Sequence, residues 1–189
     1  MREIEVLVRV LEPKDSVLAK LQKLNLIGSK KFTDIYFYQK GNNRFKPHKG
    51  IIDECLRVRD KEGQASITYK KDRIDKNGKW LYSDEEETNV SNFEEAKKIL
   101  KGLGYAELAR LNIQKHIFKS GEYEVLLEDA GDVGLFMEVE LMDSGRADPI
   151  RVKTAMMEFL KELGIKTSDE LNEGKLELAL KQDGHWPTD

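Results

Sequence analysis

Apolar and charged positions alternate from the start of the chain. In MREIEVLVRV, residues Ile4, Val6, Val8 and Val10 fall on one face of a strand, and Glu3, Glu5, Leu7 and Arg9 on the other. The same period of two recurs over residues 4–10, 34–38, 55–59, 65–70, 80–90, 111–118, 122–128 and 136–141. Turn-forming stretches separate several of these segments: Asp60-Lys61-Glu62-Gly63, Lys76-Asn77-Gly78 and Lys119-Ser120-Gly121. Short strands at this spacing predict an antiparallel sheet or barrel.

Three helical stripes interrupt the strands. Val17, Leu18, Leu21 and Leu24 mark a first helix after Pro13. Phe93, Ala96, Ile99, Leu100 and Leu103 mark a second. Ser91, with Glu94 three residues on, is its expected capping box, and Gly104 its stop. Val152, Ala155, Met156, Phe159, Leu160 and Leu163 mark a third, ended by Gly164. The tail after Lys175 favours no element, and His185-Trp186-Pro187 reads as disordered. The pattern is α+β, with residues 1–189 expected to form a single domain.

The polar faces of the strands are unusual. Arg57 and Arg59 share a face, opposite Leu56 and Val58. Glu85 and Glu87 share one, as do Glu138 and Glu140, while Glu124 and Glu128 flank Leu126. One such strand would be an ordinary solvated face. Across several, the faces sort into carboxylate pairs on some strands and an arginine pair on another. Carboxylates two residues apart repel unless a cation lies between them. Closing the strands into a barrel with the apolar faces outward, under helices, makes a charged interior. Its acidic walls suit a hard divalent metal with oxygen ligands. Its basic walls suit a polyanion, with arginine able to grip phosphate in a bidentate manner.

Composition narrows the partners. Charged residues make up 35% of the 189, yet the net charge is only −3. There is no basic excess of the kind nucleic-acid binding needs. The single Cys55 allows no internal disulfide, and no apolar run reaches transmembrane length. A cytoplasmic protein without membrane association is expected, with a homodimer as an allowed assembly. His48, His116 and His185 lack metal-ligand spacing and read as surface residues. Cys55 and Trp80 read as packing residues, and the basic stretch GNNRFKPHKG (41–50) as a solvated loop.

Taken in order, these segments resemble the CYTH family, the triphosphate tunnel fold of class IV adenylyl cyclases and thiamine triphosphatases. The family's E-x-E-x-K opening is similar to Glu3-Ile4-Glu5-Val6-Leu7, and its D-x-Y-F to Asp34-Ile35-Tyr36-Phe37. LRVR stands at 56–59 and ITYK at 67–70. The E-x-E strand matches Glu85 and Glu87, and K-x-R-x-x-Y resembles Ile113-Gln114-Lys115-His116-Ile117-Phe118. The closing G-x-F-x-E-x-E resembles residues 134–140, ending in Glu138 and Glu140.

The resemblance implies a closed antiparallel β-barrel of about eight strands, with a charged tunnel inside and helices packed outside. It implies Mg²⁺ or Mn²⁺ held by Glu3, Glu5, Glu138 and Glu140, with Glu85 and Glu128 as further ligands. Arg57, Arg59, Lys70 and Lys115, with Arg9, would hold phosphate oxygens. Glu5 or Glu87 would position an attacking water. The implied substrate is a small triphosphate: tripolyphosphate, thiamine triphosphate or a nucleoside triphosphate. Hydrolysis is the first expectation, with a non-catalytic polyphosphate or nucleotide binder second. Adenylyl cyclase chemistry would need an adenine pocket that the sequence does not locate. A third reading is a relic whose charges pair with one another.

Two positions depart from the family pattern. The first-strand lysine is Leu7, and the lysine of K-x-R is Ile113. Each charge-assisted hydrogen bond to a phosphate contributes about 1.5–3 kcal/mol, so losing two such groups would weaken or alter the activity. Leu7 and Ile113 are expected either to face an organic part of the ligand or to plug the space.

Overall fold

The computed structural model describes residues 2–41, 44–47, 51–143 and 147–184, with Asp143 described by its backbone only. Eight strands form a closed antiparallel barrel: β1 (Arg2–Arg9), β2 (Asn25–Gln39), β3 (Glu54–Lys61), β4 (Gln64–Ile74), β5 (Trp80–Val90), β6 (Tyr105–Ser120), β7 (Tyr123–Asp129) and β8 (Leu135–Asp143). Around the barrel they run β1-β5-β4-β3-β2-β6-β7-β8. Helices α1 (Lys14–Leu21), α2 (Phe93–Gly102), α3 (Pro149–Glu162) and α4 (Lys175–Gln182) connect or flank them. The strand pattern predicts an antiparallel sheet or barrel and the resemblance a closed barrel of about eight strands, and that barrel is the one observed. β2 and β6 extend well beyond their apolar segments, because each is the other's main ladder partner from Asn25↔Lys119 to Gln39↔Tyr105.

The alternation in β1 explains its place. Ile4, Val6 and Val8 are fully buried on the outer face, against Val17 and Leu21 of α1 and Met156 and Leu160 of α3. On another side, Ile35, Phe37 and Val58 pack beneath Ala96 and Leu100 of α2. Each large apolar side chain so covered stabilises the fold by about 1.5–3 kcal/mol. The cap of α2 differs by one position from the expected Ser91. Asn92 is the N-cap, its side chain accepting the Glu95 backbone N–H. Either residue type can cap; only the one with extended backbone and its oxygen aimed at N3 does so.

Helix α4 was not foreseen, and it sets the shape of the site. Leu176, Ala179 and Leu180 lie in one apolar cluster with Leu7, Phe32, Tyr36, Leu111, Ile113 and Phe136. These barrel residues face inward, so α4 stoppers one end of the interior rather than covering the outside.

The stopper is tied down through a gap in the barrel. β1 and β5 share only the register pairs Arg2↔Asp84 and Glu3↔Ser83. Beyond Glu3, the chain leading into α4 lies along β1 instead. The Ser168 N–H donates to the Arg9 carbonyl at 2.9 Å and the Leu171 N–H to the Leu7 carbonyl at 2.8 Å. Asn172 then reaches the β5 side, accepting the Trp80 N–H and donating to the Gly78 carbonyl, both at 2.7 Å. This strap satisfies backbone groups that the splayed β1–β5 seam would leave unpaired. No helix among the described residues is long and apolar enough to cross a membrane.

Candidate functional site: a charged cavity inside the barrel

The inward faces line a cavity of about 320 Å³. Neighbouring strands β5, β1, β8 and β7 contribute Glu85, Glu87, Glu3, Glu5, Glu138, Glu140 and Glu124. The facing strands β3, β4 and β6 contribute Arg57, Arg59, Lys61, Lys70 and Lys115. Strand register therefore gathers most of the lining carboxylates on one wall and the strand cations on the other, with Asp72 of β4 an acid on the basic side. Exposure is graded along the interior: Leu7, under the stopper, is 1% exposed, whereas the Glu87 side chain is 30% exposed.

The acidic wall has a focus. Glu5 and Glu140 are opposite one another in the β1–β8 ladder, and Glu138 is opposite Leu7. One carboxylate oxygen each from Glu5, Glu138 and Glu140 lies within 4.8 Å of the other two. Burial, with Glu3 and Glu138 close by and Lys70 opposing, pushes the Glu5 carboxyl up to about 8. Burial and the charges of Glu3 and Glu138 hold Glu140 well above the usual carboxylate range. Three hard oxygen donors that repel one another in a buried wall fit a divalent cation. Glu3 stands beside them, 2.7 Å from the Lys70 ammonium, which also bonds Glu5. Burial would raise Glu3, but Lys70 outweighs it and keeps its carboxyl below the ordinary value.

The remaining expected ligands have other partners. Glu85 lies 3.9 Å from both Arg57 and Lys70, and burial together with Glu3 raises its carboxyl. Glu128 is fully buried and paired with Lys115 and Lys175. Despite that burial, the two ammoniums hold its carboxyl far below the ordinary range. It lies outside the close Glu5–Glu138–Glu140 group. Glu87 accepts from the Thr68 hydroxyl at 2.8 Å and from Lys61 at 3.2 Å. These contacts overcome its burial and keep it ionised.

On the basic wall, Arg57 stands 3.7–3.9 Å from Asp34, Glu85 and Glu87. Arg59 is engaged by Asp34 through two 2.6 Å hydrogen bonds. Arg9 does not join the wall. Its guanidinium stacks 4.8 Å from the Phe136 ring centroid and donates to the Val133 carbonyl at 2.9 Å. It rests against Gly134, where a Cβ would collide with it and where φ is +133°. Alternation alone places Arg9 on the inner face, but the stoppered end has no room to turn it inward.

Leu7 and Ile113 sit in the same apolar cluster beneath α4, and Leu7 also lines the cavity. Residues to which the sequence assigned no site role complete the site: Asp34, Lys61, Thr68, Glu124, Lys175 and Glu177. Lys175 enters from the first turn of α4 and bonds both Glu128 and Glu138. Trp80 lines the cavity, with the Lys70 ammonium 5.5 Å from its ring. Cys55 lines it too, and burial pushes its thiol up to about 11, which leaves it a poor nucleophile at neutral pH. Within the 41–50 stretch, Phe45 is buried against Tyr69 and Tyr105. His116 bonds the Ser29 hydroxyl at 2.7 Å, while His48 and residues 185–187 lie outside the described residues.

Comparison with known proteins agrees with this geometry. A Methanocaldococcus jannaschii protein named as a candidate adenylate cyclase is 31% identical over 179 residues, covering 94% of this chain and 98% of its own. A solved Pyrococcus horikoshii structure superposes with a TM-score of 0.79 at 20% identity, covering 95% of this chain and 99% of that one. A Hippeastrum protein, described as a candidate adenylyl cyclase with a dominant triphosphatase activity, matches with a TM-score of 0.65 at 16% identity, covering 97% and 96%. At such identities the two structures speak for the fold alone. The CYTH domain model matches residues 1–174, and the chain belongs to the CYTH family.

Proposed function

We propose that this chain binds a triphosphate chain together with Mg²⁺ or Mn²⁺ inside the barrel and hydrolyses its terminal phosphate. The observation that carries this reading is the division of one enclosed cavity into the Glu5–Glu138–Glu140 focus and the facing Arg57, Lys70 and Lys115. Carboxylates outnumber cations among the described lining residues, so a polyanion is best received together with a cation that takes up the clustered carboxylate oxygens. Glu5, Glu138 and Glu140, with Glu3 beside them, would hold the ion. When bound, it supplies Lewis-acid charge to the phosphate oxygens.

The protein's own side chains do the rest. Arg57, Lys70 and Lys115 exchange carboxylate partners for phosphate oxygens and neutralise charge on the chain. Glu87, ionised at the more exposed part of the cavity, orients a water for in-line attack on the terminal phosphorus. The water oxygen bonds to phosphorus as its proton passes to the Glu87 carboxylate, the bridging P–O bond breaks, and diphosphate leaves. Ligand pockets commonly span roughly 300–1,000 Å³, and a cavity of about 320 Å³ favours a compact chain such as tripolyphosphate.

The test is phosphate release from tripolyphosphate, thiamine triphosphate and ATP with Mg²⁺ or Mn²⁺, alongside detection of cyclic AMP and a Glu138→Gln control. Release that needs both metal and Glu138 supports the proposal. Cyclic AMP in place of phosphate would make the chain a cyclase. Tripolyphosphate binding without release would make it the non-catalytic binder that the loss of lysine at Leu7 and Ile113 favours.

A further inference from the structure

We infer that Lys175 is a substrate-contacting residue: it restores, from helix α4, the tunnel charge that β1 lacks at position 7. The inference rests on the triphosphate reading above. Leu7 faces inward and lies directly across the β1–β8 ladder from Glu138. Its side chain lines the cavity but brings no charge to it, and is 1% exposed in the apolar cluster. The ammonium bonded to Glu138 belongs to Lys175, with that of Lys115 3.8 Å away.

The local backbone makes this relation specific. The Leu171 N–H is bonded to the carbonyl of Leu7 itself, which registers the incoming strap on that position. The chain then turns at Gly174, and α4 begins with Lys175. Its start is held by Glu177, whose carboxylate accepts the Gly174 N–H at 2.7 Å and the Ile52 N–H at 3.1 Å. Consecutive residues thus divide the work of one long side chain. Leu176 fills the apolar space beside Leu7 and Ile113, and Lys175 delivers the charge beyond it.

Lys175 and Lys115 both contact Glu128 and Glu138. Two ammoniums are therefore gathered at the edge of the acidic group. When Glu138 turns to a cation, Lys175 loses one of its two carboxylates and can bond a phosphate oxygen of the same ligand. Carrying this charge on a stopper helix also couples phosphate binding to α4 docking, which a lysine on β1 would not do.

The experiment is calorimetric titration of the full chain, first with Mn²⁺ alone and then with tripolyphosphate at saturating Mn²⁺. Lys175→Gln should raise the tripolyphosphate Kd at least tenfold without raising the Mn²⁺ Kd, since it frees Glu138 of a competing ammonium, and Lys175→Arg should restore tripolyphosphate binding to within threefold. An unchanged tripolyphosphate Kd in Lys175→Gln, with wild type binding normally, overturns the assignment of Lys175 alone. Failure of the wild-type chain to bind tripolyphosphate overturns the triphosphate reading and this inference with it. If Lys175→Gln does not fold, Lys175→Gln combined with Glu128→Gln removes both charges of one ion pair. Measured against Glu128→Gln alone, that pair should show the same tenfold loss, and its absence overturns the inference.

Discussion

Asp34 and Arg59 face each other across the β2–β3 ladder, and two 2.6 Å hydrogen bonds join the Asp34 carboxylate to the guanidinium. Asp34 is wholly buried, and Arg57 lies 3.8 Å away on its other side. Arg59 is thus a structural partner of Asp34. Removing one member of a buried pair leaves an uncompensated charge, which costs about 3–5 kcal/mol. Asp34→Ala should lower stability by that order in urea unfolding. A loss under about 1 kcal/mol would show that the Asp34–Arg59 pair is dispensable to the barrel.

Metal binding should be legible in stability before any activity is measured. At a concentration one hundred times its Kd, Mn²⁺ should add about 2.7 kcal/mol to the folded state. For a chain of this size that raises Tm by about 5–10 °C. Glu140→Gln should show no such rise. Its metal-free Tm should instead exceed wild type, because it relieves the repulsion from Glu3 and Glu138 that raises the Glu140 carboxyl. Equal Mn²⁺ shifts in the two proteins would dissolve the proposed Glu5–Glu138–Glu140 centre.

Restoring the family lysine at position 7 should not rescue anything by itself. Leu7 is packed against Phe136, Ile113 and the leucines of α4. An ammonium placed there is either buried without adequate partners, costing at least about 2 kcal/mol, or displaces the stopper. Leu7→Lys should therefore lower Tm and speed backbone hydrogen exchange in α4. A stable Leu7→Lys protein with wild-type exchange in that helix would show that the cluster tolerates charge.

The seat of α4 should respond to pH through Glu177. Burial, with Asp72 and Glu173 nearby, raises its carboxyl to about 7 even though it accepts two backbone N–H groups. A carboxyl raised on folding binds its proton more tightly in the folded state. Its contribution to stability is therefore full below the unfolded value near 4.5 and is lost as pH rises through about 7. Hydrogen exchange in α4 should accelerate, beyond the intrinsic rate, between these limits. Glu177→Gln should flatten the response, and an unaltered slope in that variant would assign it to another group.

The barrel was legible in the sequence because an antiparallel strand with one apolar face announces itself at a period of two, as Ile4, Val6 and Val8 do against Glu3 and Glu5. The same alternation identified the inward carboxylates and arginines. The resemblance offered Arg9 as a phosphate ligand, and parity, which says only which face a residue is on, could not show that it rests against Phe136 and Val133 instead. The dual partners of Glu128, the bonding of Arg59 to Asp34, and the single-residue shift of the α2 cap from Ser91 to Asn92 depend on distances between strands or on local backbone angles. Lys175 carried no periodic signal. A lone lysine at the start of an eight-residue helix becomes part of the site only because the strap beside β1 brings it there. Local alternation is encoded in neighbouring residues, and so the sequence by itself determined the barrel and its charged interior. Which end is stoppered, and which charges meet inside, was decided only when residues 160 or more positions apart, such as Leu7 and Leu171, closed on one another.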